Sequence, residues 1–343
     1  IKRLDADNMR ARIAELPHQC VLAWEQSQQL TLPPDLGAVS TITVVGMGGS
    51  AIGGALVQGL LAGQCDIPIS VVRDYALPAS VQGPSDLVIA SSYSGNTEET
   101  LSCFEQARAR NARTLAITTG GKLSDLALQA NAPVVRFEYE SQPRAALGYS
   151  FTLLLGVIHQ LGLVRDYSDD VREAADVMNG WQEEIGIDVP RARNRAKQLG
   201  ETILGGLPIA YGAGFLAAVA NRWKTQFNEN AKQWAFFEVL PELNHNAVVG
   251  FGIPDAMRDL CTVLVLRSAA DPKRIQERWD VTLELLSREG VKAEEIYGRG
   301  RSALAQMMSL IHFGDYVSFY VALLNQVDPT PVESIAFLKK RLA

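Results

Sequence analysis

From Thr41 onward, short apolar runs alternate with amphipathic stretches of helical length. Thr41–Val45, Ile67–Arg73, Leu87–Ala90, Thr114–Ile117 and Pro133–Phe137 read as strands; Ala51–Leu61, Glu98–Ala109 and Leu123–Ala130 read as helices. Such alternation predicts a parallel sheet with helices on both faces. Ahead of it, residues 1–40 read as helix and then a turn at Pro33-Pro34. Phe151 to Val164 is the longest apolar stretch; it is too short to span a bilayer, carries His159 and Gln160, and predicts a core helix joining two domains. Asp166 to Glu201 is polar and helical in flavour, as a connection would be. A second alternation follows: strand Pro208–Tyr211, turn Gly212-Ala213-Gly214, helix Phe215–Phe227, then strands Cys261–Leu266 and Val291–Ile296 with helices Pro272–Arg288 and Ser302–Leu324. A last helix, Val332–Leu342, ends in basic residues, as a helix dipole favours. The strand-glycine-helix opening at Ile209 echoes the one at Ile42 and points to two related domains. The expected fold class is α/β, with two doubly wound domains. Its divisions are an N-terminal helical segment over 1–40, a first domain over 41–150, a helical connection over 151–200, and a second domain over 201–343.

Composition narrows the function classes. A 47% hydrophobic and 20% charged chain of 343 residues is that of a soluble globular protein. A net charge of −6 argues against a broad nucleic-acid surface but leaves room for a local phosphate site. Cys20, Cys65, Cys103 and Cys261 are scattered without a C-x-x-C spacing, so neither zinc nor a disulfide framework is expected. Reduced thiols and a cytoplasmic location follow. The charged start, Ile1 to Met9, is unlike a signal peptide, and no membrane partner is expected. The lack of an initiating Met implies trimmed or missing leading residues.

The strongest chemical signal is a pair of loops, Gly46-Met47-Gly48-Gly49-Ser50 and Ser92-Tyr93-Ser94-Gly95-Asn96-Thr97, each following a strand and opening a helix. Helix starts leave N–H groups unpaired and carry partial positive charge. Glycine lets the backbone approach closely and hydroxyls add neutral donors. Gly49, Ser50, Ser92, Ser94 and Thr97 are therefore the candidate holders of one small phosphate. Gly46-x-Gly48-x-x-Ala51 also satisfies a dinucleotide fingerprint, with Asp74 as its ribose acid. A dinucleotide fold has no need of the second loop, and helix capping is the plain alternative for its hydroxyls.

Three further positions stand out. Glu229 lies between Asn228 and Asn230 at the end of a helix, a poor helix interior of the kind that marks either a site or a solvated end. His245 falls in the polar stretch Leu240–Asn246, whereas His159 and His312 lie in apolar helical contexts. Arg144, in Pro143–Leu147, follows the fifth strand, where an arginine is either surface charge or an oxyanion partner.

Taken in order, Gly46–Ser50, Ser92–Thr97, Pro143–Leu147, Phe227–Lys232 and Glu242–Asn246 form a series. In it the chain resembles the bifunctional phosphoglucose/phosphomannose isomerases of the sugar isomerase (SIS) superfamily, from Thr41 to the C-terminus. The resemblance implies two SIS-type domains and a phosphate held by Ser50, Ser92, Ser94 and Thr97. It implies Glu229 as the base that moves a proton between the first two sugar carbons and Arg144 as the stabiliser of the enediolate. It also implies His245 for ring opening, reaching in from a partner subunit of a homodimer. Lys339 would match a lysine near the ring oxygen, and Thr330 a threonine that tolerates both epimers, although counting back from Lys339 puts Val332 at that place. The chemistry requires no redox cofactor and no metal. A non-catalytic sugar-phosphate sensor on the same domains and a nicotinamide-dependent dehydrogenase are the competing readings.

Overall fold

The computed structural model describes residues 3–342; Ile1, where the charged N-terminal stretch begins, lies outside the described residues. The strands are β1 (Thr41–Val45), β2 (Ile69–Val72), β3 (Asp86–Ser92), β4 (Arg113–Thr118), β5 (Val134–Arg136), β6 (Leu207–Ala213), β7 (Phe236–Leu240), β8 (Cys261–Arg267) and β9 (Lys292–Tyr297). They form two all-parallel sheets, in the orders β2-β1-β3-β4-β5 and β7-β6-β8-β9.

The first sheet belongs to a compact unit, Glu15–Asp176. Adjacent strand residues face opposite ways, and β1 shows it. Val45 packs with Val88, Ala90 and Ala116 under Phe104 and Ala107 of helix Glu98–Ala109 and Leu123 and Ala127 of helix Gly121–Gln129. Val44 faces the other side, where a Cβ on Gly54 of helix Gly48–Leu61 would lie 2.9 Å from its side chain.

The second sheet belongs to a unit made of Val177–Ala343 with Ile1–Ala14. On one face Tyr211, Val263 and Val265 pack with Trp279 and Leu286 of helix Lys273–Arg288. Helix Ala217–Glu229 packs on β6 and on helix Ala303–Leu324. A Cβ on Gly314 would fall 2.4 Å from the Trp223 ring, whose Nε1 donates to the Leu310 carbonyl at 2.9 Å.

The structure departs from the expected divisions in several places. The segment 1–40 is split between the units: helix Met9–Ala14 goes with the second and helix Leu16–Gln28 with the first. The apolar stretch expected over Phe151–Val164 is a helix over Leu147–Gln160, inside the first unit, and it stops before Gly162 at φ +73°. The connection holds helices Ser168–Ile185 and Arg195–Ile203, and the division between units falls within the first of them. Strand β6 runs through Gly212 and Ala213, so only Gly214 turns. Strand β7 was not expected, because it is an edge strand with Phe236 and Phe237 exposed and no buried alternation. Helix Ala303–Leu324 is long and apolar enough to cross a membrane, but 89% of its apolar window is buried within the fold, which accounts for its composition. All four cysteines are unpaired, and burial pushes the Cys20 thiol up to about 12.

Candidate active site

Both glycine loops lie at the carboxyl ends of neighbouring strands, β1 and β3, where the strand order reverses. Crevices at such reversals are where open α/β sheets hold ligands. The first loop starts close against β3: a Cβ on Gly46 would lie 2.7 Å from the Ser91 carbonyl oxygen. Gly48 has φ +51°, a left-handed conformation that favours glycine, and it opens helix Gly48–Leu61, which no side chain caps. Gly49 faces a third segment. Its Cβ would lie 2.9 Å from the Pro143 carbonyl oxygen and 3.3 Å from Arg144 Cα, so the absence of a side chain lets the 3-10 turn Pro143–Ala146 close against the loop. Ser50 and Arg144 are both buried.

In the second loop the hydroxyls are drawn together. Ser92 Oγ lies 3.0 Å from Thr97 Oγ1 and accepts from the Gly95 N–H at 3.1 Å, while Ser94 Oγ accepts from the Asn96 N–H at 3.2 Å and is exposed. Thr97 occupies the N-cap position of helix Glu98–Ala109, yet no side chain caps that helix. Capping therefore does not account for the hydroxyls. Gly95 has φ +65°, and a Cβ there would sit 1.8 Å from the Gly120 carbonyl oxygen. The loop after β4 braces this one through Thr119 Oγ1, which donates to the Tyr93 carbonyl at 2.7 Å, and the Lys122 N–H, which donates to Asn96 Oδ1 at 3.2 Å.

Glu229, in the other unit, ends helix Ala217–Glu229. That helix is fixed by Asp315, whose carboxylate accepts from Arg222 at 3.0 Å and from Gln226 at 2.8 Å, all three buried. Buried charges persist where they are paired and hydrogen-bonded in this way. The asparagines that mark the sequence have structural partners. Asn228 Nδ2 donates to the Gln233 carbonyl and Asn230 Nδ2 to Ser318 Oγ, each at 3.0 Å. Lys232, at φ +54°, donates from Nζ to the Glu229 carbonyl at 2.6 Å and the Pro329 carbonyl at 3.2 Å. Half-buried Glu229 thereby lines a cavity of about 960 Å³ with Asn228, Lys232, Trp234, Asp328 and Val332 among its walls.

The remaining expected residues lie elsewhere in this unit. Thr330 is buried and its N–H donates to Asp328 Oδ1 at 2.8 Å, but Val332 is the one that faces the cavity. His245 is exposed at the end of the 3-10 turn Glu242–His245, and Lys339 is exposed on helix Glu333–Leu342; neither lines the Glu229 cavity. Among the described residues, no group of three or more His, Cys, Asp or Glu side chains is placed to hold a metal ion. One residue had no sequence signal: Gln19, buried in helix Leu16–Gln28, bonds to Ala145 and Gly148 around the end of the Arg144 turn.

Comparison with known proteins bears on both halves. Residues 38–163 match the SIS domain, and residues 192–342 match the bacterial phospho-glucose isomerase C-terminal SIS domain. The chain is 43% identical to the bifunctional phosphoglucose/phosphomannose isomerase of Caldicellulosiruptor bescii, over 96% of this chain and 98% of that one. It is 34% identical to the protein of the same description from Aquifex aeolicus, over 93% and 95% of the two chains. Tagatose-6-phosphate ketose/aldose isomerase from Escherichia coli shares the fold at a TM-score of 0.75 and 19% identity, covering 94% of this chain and 95% of that one. With identity spread over nearly the whole of both chains, this chain belongs to the bifunctional phosphoglucose/phosphomannose isomerase family.

Proposed function

We propose that this chain is an aldose–ketose isomerase interconverting glucose 6-phosphate and fructose 6-phosphate, and accepting mannose 6-phosphate as well. The observation that carries the reading is full-length similarity to enzymes of that description, on a chain that keeps Glu229 in a cavity wall. Gly49, Ser50, Ser92, Ser94 and Thr97 bind the phosphate, which orients the sugar without reacting. Glu229 takes the C2 proton of the open-chain aldose, leaving a cis-enediolate. Arg144 stabilises the charge that develops on oxygen, a role commonly worth about 3 kcal/mol for one well-placed donor. Return of the proton to C1, with transfer of the O2 proton to O1, gives the ketose. Either C2 epimer loses its proton to the same enediolate, so mannose 6-phosphate needs only space at C2, and the segment Thr330–Val332 is where we place that tolerance.

His245 opens the sugar ring and Lys339 serves the ring oxygen in this reading. The exposure of His245 fits its delivery to a partner subunit. Trp234, Val249 and Ile253 are each between 74% and 87% exposed, apolar side chains of the kind a homodimer interface covers. Four unpaired thiols fit a cytoplasmic location.

The test is a coupled assay from fructose 6-phosphate, wild type beside Glu229→Gln, repeated with mannose 6-phosphate. Glu229→Gln is expected to lower kcat by about 100- to 10,000-fold while still binding substrate. Tight sugar-phosphate binding without turnover in either protein would make the chain a sensor. Turnover of glucose 6-phosphate alone would remove the dual specificity.

A further inference from the structure

The helix Leu16–Gln28 lies ahead of the first glycine loop and carries none of the residues proposed above. Gln19 on it is 2% exposed and uses both ends of its amide on backbone. Nε2 donates to the Ala145 carbonyl at 2.9 Å, and Oε1 accepts from the Gly148 N–H at 3.2 Å. These two groups bracket the end of the turn that carries Arg144. The fit is close: a Cβ on Gly148 would lie 2.4 Å from Gln19 Cβ. Two more residues along the helix edge act in the same direction. The Tyr139 hydroxyl donates to Glu15 Oε2 at 3.1 Å, and Gln26 Nε2 donates to the Arg136 carbonyl at 2.5 Å. Positions 15, 19 and 26 are spaced to share one helix face. The chain from the end of β5 to Gly148 is thus held along that face, while Gly49 of the first loop closes on Arg144 Cα.

We infer that Gln19 is a positioning residue for Arg144, setting the turn so that the arginine backbone stays pressed against the first phosphate loop. The inference rests on the reading of Arg144 as the enediolate-stabilising residue. A buried amide that satisfies one donor and one acceptor is costly to replace by a group that satisfies neither. Its effect would reach the reaction through geometry, because small misplacements of a catalytic group cost up to about 100-fold in rate.

The experiment is a double-mutant cycle on the full chain, with kcat and KM measured in the fructose 6-phosphate assay. Gln19→Leu keeps the volume and removes both hydrogen bonds. It is expected to lower kcat by about 10- to 100-fold with KM nearly unchanged. In an Arg144→Ala background the same change is expected to cost less than about twofold, since the group it positions is gone. Losses that multiply in the double variant, or a Gln19→Leu enzyme with wild-type kcat, overturn the inference while leaving Arg144 in place. A wild-type kcat in Arg144→Ala alone overturns the reading of the arginine and the inference with it. Should Gln19→Leu not fold, Gln19→Glu, which keeps the acceptor for Gly148 and loses the donor to Ala145, enters the same cycle with the same expectations.

Discussion

The loops after β1 and after β6 are built on one plan and differ in a few side chains. Met47 and Ala213 are both extended, at φ −125° and −136°, and Gly48 and Gly214 both have φ +51°. Gly46-Met47-Gly48-Gly49-Ser50 and Gly212-Ala213-Gly214-Phe215-Leu216 therefore align position by position, although the first opens directly into an α-helix and the second into a 3-10 turn. The strand pairing extends the match. Val45 sits beside Ala90 and Tyr211 beside Val265, so Ser92 corresponds to Arg267. In the first unit these positions are glycine and hydroxyls. In the second, Leu216 is fully buried, and Arg267 is held by Asp280 at 3.2 Å and Glu295 at 2.6 Å. A parallel sheet with a strand-order reversal supplies the crevice; whether it takes a phosphate depends on what fills it.

The side chains of the two loops can be exchanged in either direction. Rewriting the first loop as the second, with Gly49→Phe and Ser50→Leu, sets a ring against the Pro143 carbonyl and removes a donor. Turnover of fructose 6-phosphate should fall by about 100- to 1,000-fold, and inorganic phosphate should no longer raise the melting temperature. Undiminished turnover would show that the first loop holds no phosphate. The reverse rewriting, Phe215→Gly with Leu216→Ser, should leave kcat within about twofold and lower stability by about 3 kcal/mol in urea unfolding, from the lost buried leucine. A large loss of kcat in a stable variant would give the second loop a role in the reaction. The smallest effect concerns acid. Burial lowers His312, in helix Ala303–Leu324, to about 3, whereas the unfolded histidine takes its proton near 6.5. Stability from this site is present above pH 6.5 and lost as pH falls from there toward 3, amounting to about 2 kcal/mol by pH 5. His312→Gln should flatten that part of the pH–stability curve, and an unchanged slope would mean the ring is not held neutral.

The two glycine loops were legible as strand-to-helix junctions because glycine is suited to the close approach and left-handed backbone that such junctions use. Glu229 was marked by its asparagines, though those turn out to serve structure, Asn228 through the Gln233 carbonyl and Asn230 through Ser318. Strand β7 was illegible because an edge strand need not alternate buried and exposed residues. Gln19 was illegible for another reason: an amide on an amphipathic helix looks the same whether it meets water or two backbone groups 126 and 129 residues away. Thr330 and Val332 show a third limit, since sequence spacing alone did not say which of two neighbours faces a cavity.

The division of the N-terminal segment also bears on the order of events during synthesis. Glu15–Asp176 is one continuous stretch, so all of its packing partners are available once residue 176 has left the ribosome. Met9 and Ile13 are buried in the other unit, where their helix packs on Ala303–Leu324. Helix Met9–Ala14 therefore waits, its apolar face uncovered, for a helix made almost three hundred residues later.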